Sequence, residues 1–273
     1  MADRYGLETI TTDLDGSGVL TATLNRPDRG NGLNKQMHLD LRDLYQRIAG
    51  DAEVRAAVLT GAGRSFCVGA DFAVMEENLE TGYPEGRPDL LDDGIDIARG
   101  ALRVRQPMVA AVNGHAIGLG ATLALFCDIV YLSEDARIGD PHVNAGLVAG
   151  DGGAVLWPLL VGLNRAKELL MTGDLLDAAQ AERYGLVNHV VPADDVLASA
   201  LAAARRLAGG PRHAIEFNKR LCNKELEDRV SRLYDLAFAL EAITFDTDDH
   251  REAVDAFLNK RTPDFGRGRQ PGG

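Results

Sequence analysis

His142 and Asp151 are residues whose types and spacing could move a proton in this 273-residue chain. Histidine titrates near neutrality and is the ordinary general base of protein chemistry. Asp151 follows nine residues later, in Ala149-Gly150-Asp151-Gly152-Gly153, a Gly-rich bend at a predicted helix start. Such a bend can bring the carboxylate back to the imidazole, where it would fix the tautomer and stabilise the cation, as triad acids do. The bland alternatives are a packed loop histidine at 142 and a helix N-cap at 151. His115 has the apolar context of a structural histidine. His38, His189, His213 and His250 fall on predicted helices or strands elsewhere.

Two other segments share one design, a strand followed by small residues and a helix start. The first runs Gly61-Ala62-Gly63-Arg64-Ser65-Phe66-Cys67-Val68-Gly69-Ala70-Asp71-Phe72. The second is Asn113-Gly114-His115-Ala116-Ile117-Gly118-Leu119-Gly120, leading into Ala121-Thr122-Leu123. Small residues admit a ligand close to the backbone, and helix N-termini present unpaired N–H groups with a favourable dipole. Two such donors aimed at one point form an oxyanion hole, one of the strongest catalytic devices in carbonyl chemistry.

The elements that must hold these groups follow from periodicity. Leu7 to Asp13 and Val19 to Asn25 alternate around Asp15-Gly16-Ser17-Gly18, a β-hairpin signature. Leu33 to Ile48 has a helical period, Val54 to Thr60 and Met108 to Val112 are apolar strands, and Asp128 to Leu132 is another. Leu119 to Phe126 is a short helix. Glu76 to Asp93 is polar and rich in Gly and Pro, which predicts a loop of the kind that lids a site and sets specificity. Beyond Gly153 the pattern is mostly helical, near 164–171, 178–184, 194–208, 212–223, 228–245 and 249–259, with one strand at Leu186 to Val191. The chain thus divides into an α/β core, residues 1–195, and a helical C-terminal region, 196–273. Amphipathic helices that close a chain often pack on a neighbouring subunit, so a homo-oligomer is expected.

Composition sets outer limits. With 45% apolar and 26% charged residues, a sizeable core can be buried. A net charge of −12 repels phosphate backbones and argues against nucleic acid. No apolar run reaches membrane-helix length, and Met1 to Leu7 lacks a signal-peptide h-region. Three widely spaced cysteines, Cys67, Cys127 and Cys222, read as free thiols of a reducing cytoplasm. They form no metal-ligand pattern, and backbone oxyanion donors need no metal. An anionic ligand would find local positive charge at Arg26 with Arg29 and along Lys260 to Arg269.

Phe66-Cys67-Val68-Gly69-Ala70-Asp71 and Asn113 to Gly120 resemble the two signature segments of the enoyl-CoA hydratase/isomerase (crotonase) superfamily. Supporting pieces fall in order: Leu24-Asn25-Arg26-Pro27, Cys127-Asp128-Ile129, Gly185-Leu186-Val187-Asn188, and the tail Phe257-Leu258-Asn259-Lys260-Arg261-Thr262-Pro263-Asp264-Phe265. The resemblance covers nearly the whole chain. It implies an α/β, crotonase-like spiral of ββα units with a C-terminal helical oligomerisation region, assembled as a homotrimer or dimer of trimers. It also implies an acyl-CoA thioester ligand, with CoA entering as part of the substrate and no separate cofactor. By that resemblance the oxyanion donors are the backbone N–H groups of Ala70 and Leu119, where the family more often has Gly at the second place. Arg26, Arg29, Val68, Asp71 and Phe72 would flank the CoA nucleotide, with Lys260 reaching from a neighbouring subunit. Asp71 suits an N-cap better than a catalyst.

The sequence departs from the family at its acid–base positions. Family hydratases carry two glutamates, and here those positions hold Thr122 and His142. A threonine hydroxyl is no base near neutral pH, so hydration by the two-glutamate route is not expected. The run from Pro141-His142 through Gly150-Asp151-Gly152 to Trp157-Pro158 is similar to the 6-oxocamphor hydrolase-like β-diketone hydrolase branch, whose retro-Claisen chemistry expels an enolate. Three readings therefore stand: an acyl-CoA hydratase/isomerase-like enzyme using His142 and Asp151, a β-diketone or β-ketoacyl C–C bond hydrolase, and a non-catalytic binding member of the fold.

Overall fold

The computed structural model describes residues 3–71, 74 and 88–266. Phe72 and most of the polar stretch 76–93 lie outside the described residues, as does the tail beyond 266. Within that stretch, residues 88–93 are not loop but the first turns of a helix, Pro88–Arg103. Proline is favoured at a helix's first turn, where its missing N–H has no helical partner.

Two sheets organise the chain. The hairpin strands β1 (Ile10–Leu14) and β2 (Val19–Leu24) pair antiparallel. They continue into β3 (Ala56–Gly61), β5 (Met108–Val112), β7 (Ile129–Ser133) and β10 (His189–Val191), all parallel neighbours in that order. The second sheet has the order β4 (Ser65–Cys67), β6 (His115–Ile117), β8 (Arg137–Gly139) and β9 (Leu176–Asp177). Each of the couples β3–β4, β5–β6 and β7–β8 therefore gives one strand to each sheet, the repeating unit of the expected spiral. The strands of the second sheet are too short to show a period of two, so the sequence pattern alone does not mark them.

Helices cover both faces. Lys35–Gly50 buries Met37, Leu41, Leu44, Tyr45 and Ile48 against the main core, a four-turn stripe of the expected spacing. Val196–Ala208 lays Ala200, Ala204 and Ala208 on Val58, Val109 and Ala111, small residues that let the helix approach the sheet closely. The segments 212–223 and 228–245, expected as separate helices, form one helix, Arg212–Phe245. The joining Lys224-Glu225-Leu226-Glu227 are all strong helix formers, and Lys224 pairs with Asp228 one turn on at 2.8 Å. Helix Asp248–Leu258 follows after an N-cap from the Thr247 hydroxyl. Among the described residues no helix is long and apolar enough to cross a membrane.

Candidate active site

The first donor segment leaves β4 through Val68 and Gly69 and then forms a single bridge between Leu33 and Ala70. Leu33 N–H donates to the Gly69 carbonyl at 2.8 Å, and Asp71 N–H donates to the Leu33 carbonyl at 3.0 Å. These bonds flank Ala70, so its own N–H faces away from Leu33, with no acceptor among the described residues. Val68, half-buried, packs on Gly30.

The second segment turns from β6 into helix Leu119–Leu125 through Gly118, whose φ of 56° with ψ of −124° excludes side chains. Gly118 N–H is bound by the Gly139 carbonyl at 2.8 Å, which leaves the Leu119 N–H as the first open donor of the helix. The two segments are pressed together. A Cβ on Gly120 would lie 2.2 Å from the Cys67 carbonyl oxygen, and one on Gly69 would lie 3.7 Å from the Leu119 nitrogen. Two unsatisfied N–H groups, one on exposed Ala70 and one on half-buried Leu119, thus stand close together at the mouth of the second sheet.

His142 begins a short 3-10 turn, His142–Ala145, separated from the end of β8 only by Asp140 and Pro141. Its ring lies against Gly118, where a Cβ would stand 3.3 Å from Cε1. The imidazole is therefore next door to the second donor. Asp151 reaches it as expected, with Oδ2 at 3.3 Å from Nε2. Gly152, not Asp151, occupies the N-cap of helix Gly153–Leu160, so the capping alternative for Asp151 is set aside.

Sequence reasoning missed the second carboxylate. Asp140 bonds Nδ1 of His142 through Oδ1 in a very short contact. Its side chain is 1% exposed against 14% for His142, so only the histidine of the two can meet a ligand. The remaining oxygen, Oδ2, lies over Gly153, where a Cβ would fall 1.8 Å away. The available signal was an acid two residues before the histidine in Gly139-Asp140-Pro141-His142. Burial by itself would lower the His142 pKa, but the charges of Asp140 and Asp151, with a hydrogen bond to each, hold it well above 6.5. Asp140, His142 and Asp151 each bring a ligand atom within 4.8 Å of the others, a spacing that a cation could share. Both ring nitrogens already face a carboxylate oxygen, so the trio as it stands is a hydrogen-bonded acid–base ladder.

The wall behind the ladder comes from the C-terminal helices. Tyr234, on Arg212–Phe245, donates its hydroxyl to the Asp151 carbonyl at 2.7 Å. Thr244 Oγ1 accepts from Val148 N–H at 3.2 Å. His250 is fully buried and donates from Nδ1 to the Ala145 carbonyl at 2.7 Å, pinning the turn that carries His142. That role was invisible in a residue expected to be bland. Thr122 is buried against Gly152, and its hydroxyl has no partner among the described residues. Cys67 is no nucleophile, because burial, with the Asp151 charge adding to it, pushes its thiol up to about 12.

Of the residues expected around a nucleotide, Arg26 is already engaged. Its Nη2 donates to Asp71 Oδ2 at 2.8 Å, and its Nη1 reaches the Gly32 carbonyl. The pair is mostly buried, so Arg26 does not supply the free charge anticipated for it. Arg29 and Lys260 are exposed.

The enoyl-CoA hydratase/isomerase family model matches residues 15–268. The chain belongs to that family. An enoyl-CoA hydratase/isomerase structure from Mycobacterium paratuberculosis is 43% identical, with a TM-score of 0.87, covering 92% of this chain and 99% of that one. A probable enoyl-CoA hydratase of Mycobacterium leprae is 36% identical over 244 residues, 89% of this chain and 92% of the relative. The 1,2-epoxyphenylacetyl-CoA isomerase of Escherichia coli is 35% identical over 255 residues, 91% and 95% of the two chains. Membership confirms the crotonase fold, and the family's relatives include both hydratases and isomerases.

Proposed function

We propose that the enzyme binds an acyl-CoA thioester with its carbonyl oxygen between the N–H groups of Ala70 and Leu119. The observation that carries this reading is the convergence of those two acceptor-free donors beside the His142 ring. Charge that develops on the thioester oxygen as an enolate forms would be stabilised there by preorganised dipoles. His142 and Asp151 supply the acid–base chemistry at the adjacent carbon. Both hydratase glutamate positions are replaced, by Thr122 and His142, and helix Leu119–Leu125 offers no titratable side chain. One ladder must then serve both proton transfers.

Arg29, the backbone around Val68 and Asp71, and Phe72 would line the CoA nucleotide. Arg26 shapes that wall through its bond to Asp71, and Lys260 would reach in from the neighbouring subunit of a trimer. No cofactor is required beyond the CoA that the substrate carries. A second reading is C–C bond hydrolysis of a β-dicarbonyl compound. It is favoured by one observation, the His142 Nε2–Asp151 contact at 3.3 Å, which suits water activation by a dyad.

The test is the loss of enoyl-thioester absorbance of crotonyl-CoA, with the wild type and His142→Ala in parallel. Hydration abolished by the substitution supports the first reading. No hydration above the mutant background, together with cleavage of a cyclic β-diketone, would sink it in favour of the second.

A further inference from the structure

We infer that Asp140 is a positioning residue that keeps a proton on Nδ1 of His142, so that the imidazole enters the reaction as a cation with Nε2–H as its acid. This reverses the division of labour expected from sequence, in which His142 is the base and Asp151 fixes its tautomer. The inference rests on the proposed acyl-thioester reading only for what receives the proton.

Geometry separates the two carboxylates. Asp140 precedes the histidine by two residues, is almost wholly buried, and makes the closer contact, at Nδ1. It cannot reach a ligand, and its Oδ2 is closed in by the backbone of Gly153. Asp151 approaches from another element, at 3.3 Å from Nε2, on the nitrogen left for chemistry. Its carbonyl is held by Tyr234, so this carboxylate is aimed by the long C-terminal helix and not by its own turn.

The groups facing the imidazole are few. Asp140 follows β8, and Asp151 precedes helix Gly153–Leu160, whose N-terminal dipole favours negative charge at both. Gly118, uncharged, lies against the ring. Behind Asp151 stand Tyr234 and the buried thiol of Cys67, both held protonated by burial and by the Asp151 charge. Glu241 lies beyond them beside Gly150. Among the described residues neither Asp140 nor Asp151 pairs with Lys or Arg, so His142 is the positive charge that both carboxylates share. Two carboxylates and one imidazolium leave the ladder with one net negative charge. That arrangement favours a proton on each ring nitrogen.

The proton balance is simple. Nε2–H breaks, its proton passes to the substrate, and the ring remains neutral with Nδ1–H bonded to Asp140. A proton removed from substrate or water goes to Asp151 and returns to Nε2, which restores the cation. The cycle consumes no external acid or base.

The experiment is nitrogen NMR of histidine-labelled protein, with His142 assigned by its loss in His142→Gln. In the wild type both ring nitrogens should read as protonated at pH 6.5 and well above it. Asp140→Asn should move the His142 titration to lower pH. It should also reduce kcat on the acyl-CoA by at least about 100-fold with little change in KM, the low end of an acid–base contribution. Gly153→Ala, which displaces the Asp140 carboxylate without altering its charge, should act in the same direction. A wild-type His142 that is neutral at pH 7 overturns the inference, whatever the variants do. So does a folded Asp140→Asn that titrates like the wild type. Nitrogen shifts as expected in an enzyme inert towards acyl-CoA would leave the role of Asp140 standing and sink the thioester reading.

Discussion

Tyr234 donates its hydroxyl to the main-chain carbonyl of Asp151 across 2.7 Å, though the two are 83 residues apart. The tyrosine ring is buried, and the bond fixes the bend that aims the Asp151 carboxylate at His142. Tyr234→Phe leaves that carbonyl buried without a donor, which costs about 1–3 kcal/mol. Urea unfolding should show the loss as a lower midpoint at unchanged slope. An unchanged midpoint would mean that the bend holds without the tyrosine.

Gly120 and Gly50 make a matched pair for the oxyanion geometry. A Cβ at Gly120 would meet the Cys67 carbonyl oxygen at 2.2 Å, a main-chain atom that can yield only if β4 or the helix start moves. Gly120→Ala should cost roughly 1–3 kcal/mol by overpacking and displace the Leu119 donor. Turnover of the acyl-CoA should fall by at least about 100-fold, as when one oxyanion donor is lost. Gly50, at the end of helix Lys35–Gly50, has nothing within 4 Å of the same added atom. Gly50→Ala should gain up to about 1 kcal/mol and leave activity alone. Equal effects from both substitutions would refute the distinction.

The ladder also sets a pH dependence of stability. The folded His142 pKa lies well above 6.5, because the two adjacent carboxylates outweigh the burial that would lower it. Its contribution to stability is therefore complete below the unfolded value near 6.5 and declines as pH rises through the folded value. Thermal unfolding of the wild type against His142→Gln should show the widest gap at about pH 5.5–6.5, narrowing as the medium becomes alkaline. A gap that widens with pH would reverse the assigned sign.

Much of this architecture was legible in the residues. Helix Lys35–Gly50 announces itself by apolar positions one turn apart, and β5 by an unbroken apolar run bounded by Pro107 and Asn113. Both donor segments stood out because glycine clusters between a strand and a helix have few other uses. The pairing of His142 with Asp151 was anticipated, since a Gly-rich bend returns the chain over a short distance. The lid reading of 76–93 failed at its end, where Pro88 starts a helix instead of continuing a loop.

What the sequence determined by itself was whatever local periodicity and backbone chemistry can carry: the main sheet, the major helices, the two open N–H donors and the family. The tertiary structure decided what depends on segments meeting across the spiral. Strands of two or three residues have no period to read, so the second sheet exists only through its pairing. Arg26 was a free cation on paper until the fold set Asp71 against it, 45 residues on. The three outer supports of the ladder are likewise products of the fold: Gly153 closing on Asp140, Tyr234 on Asp151 and His250 on the His142 turn. Hydrogen bonds and close packing act over about 3 Å in space, and nothing in a chain's order states which distant residues will come that near.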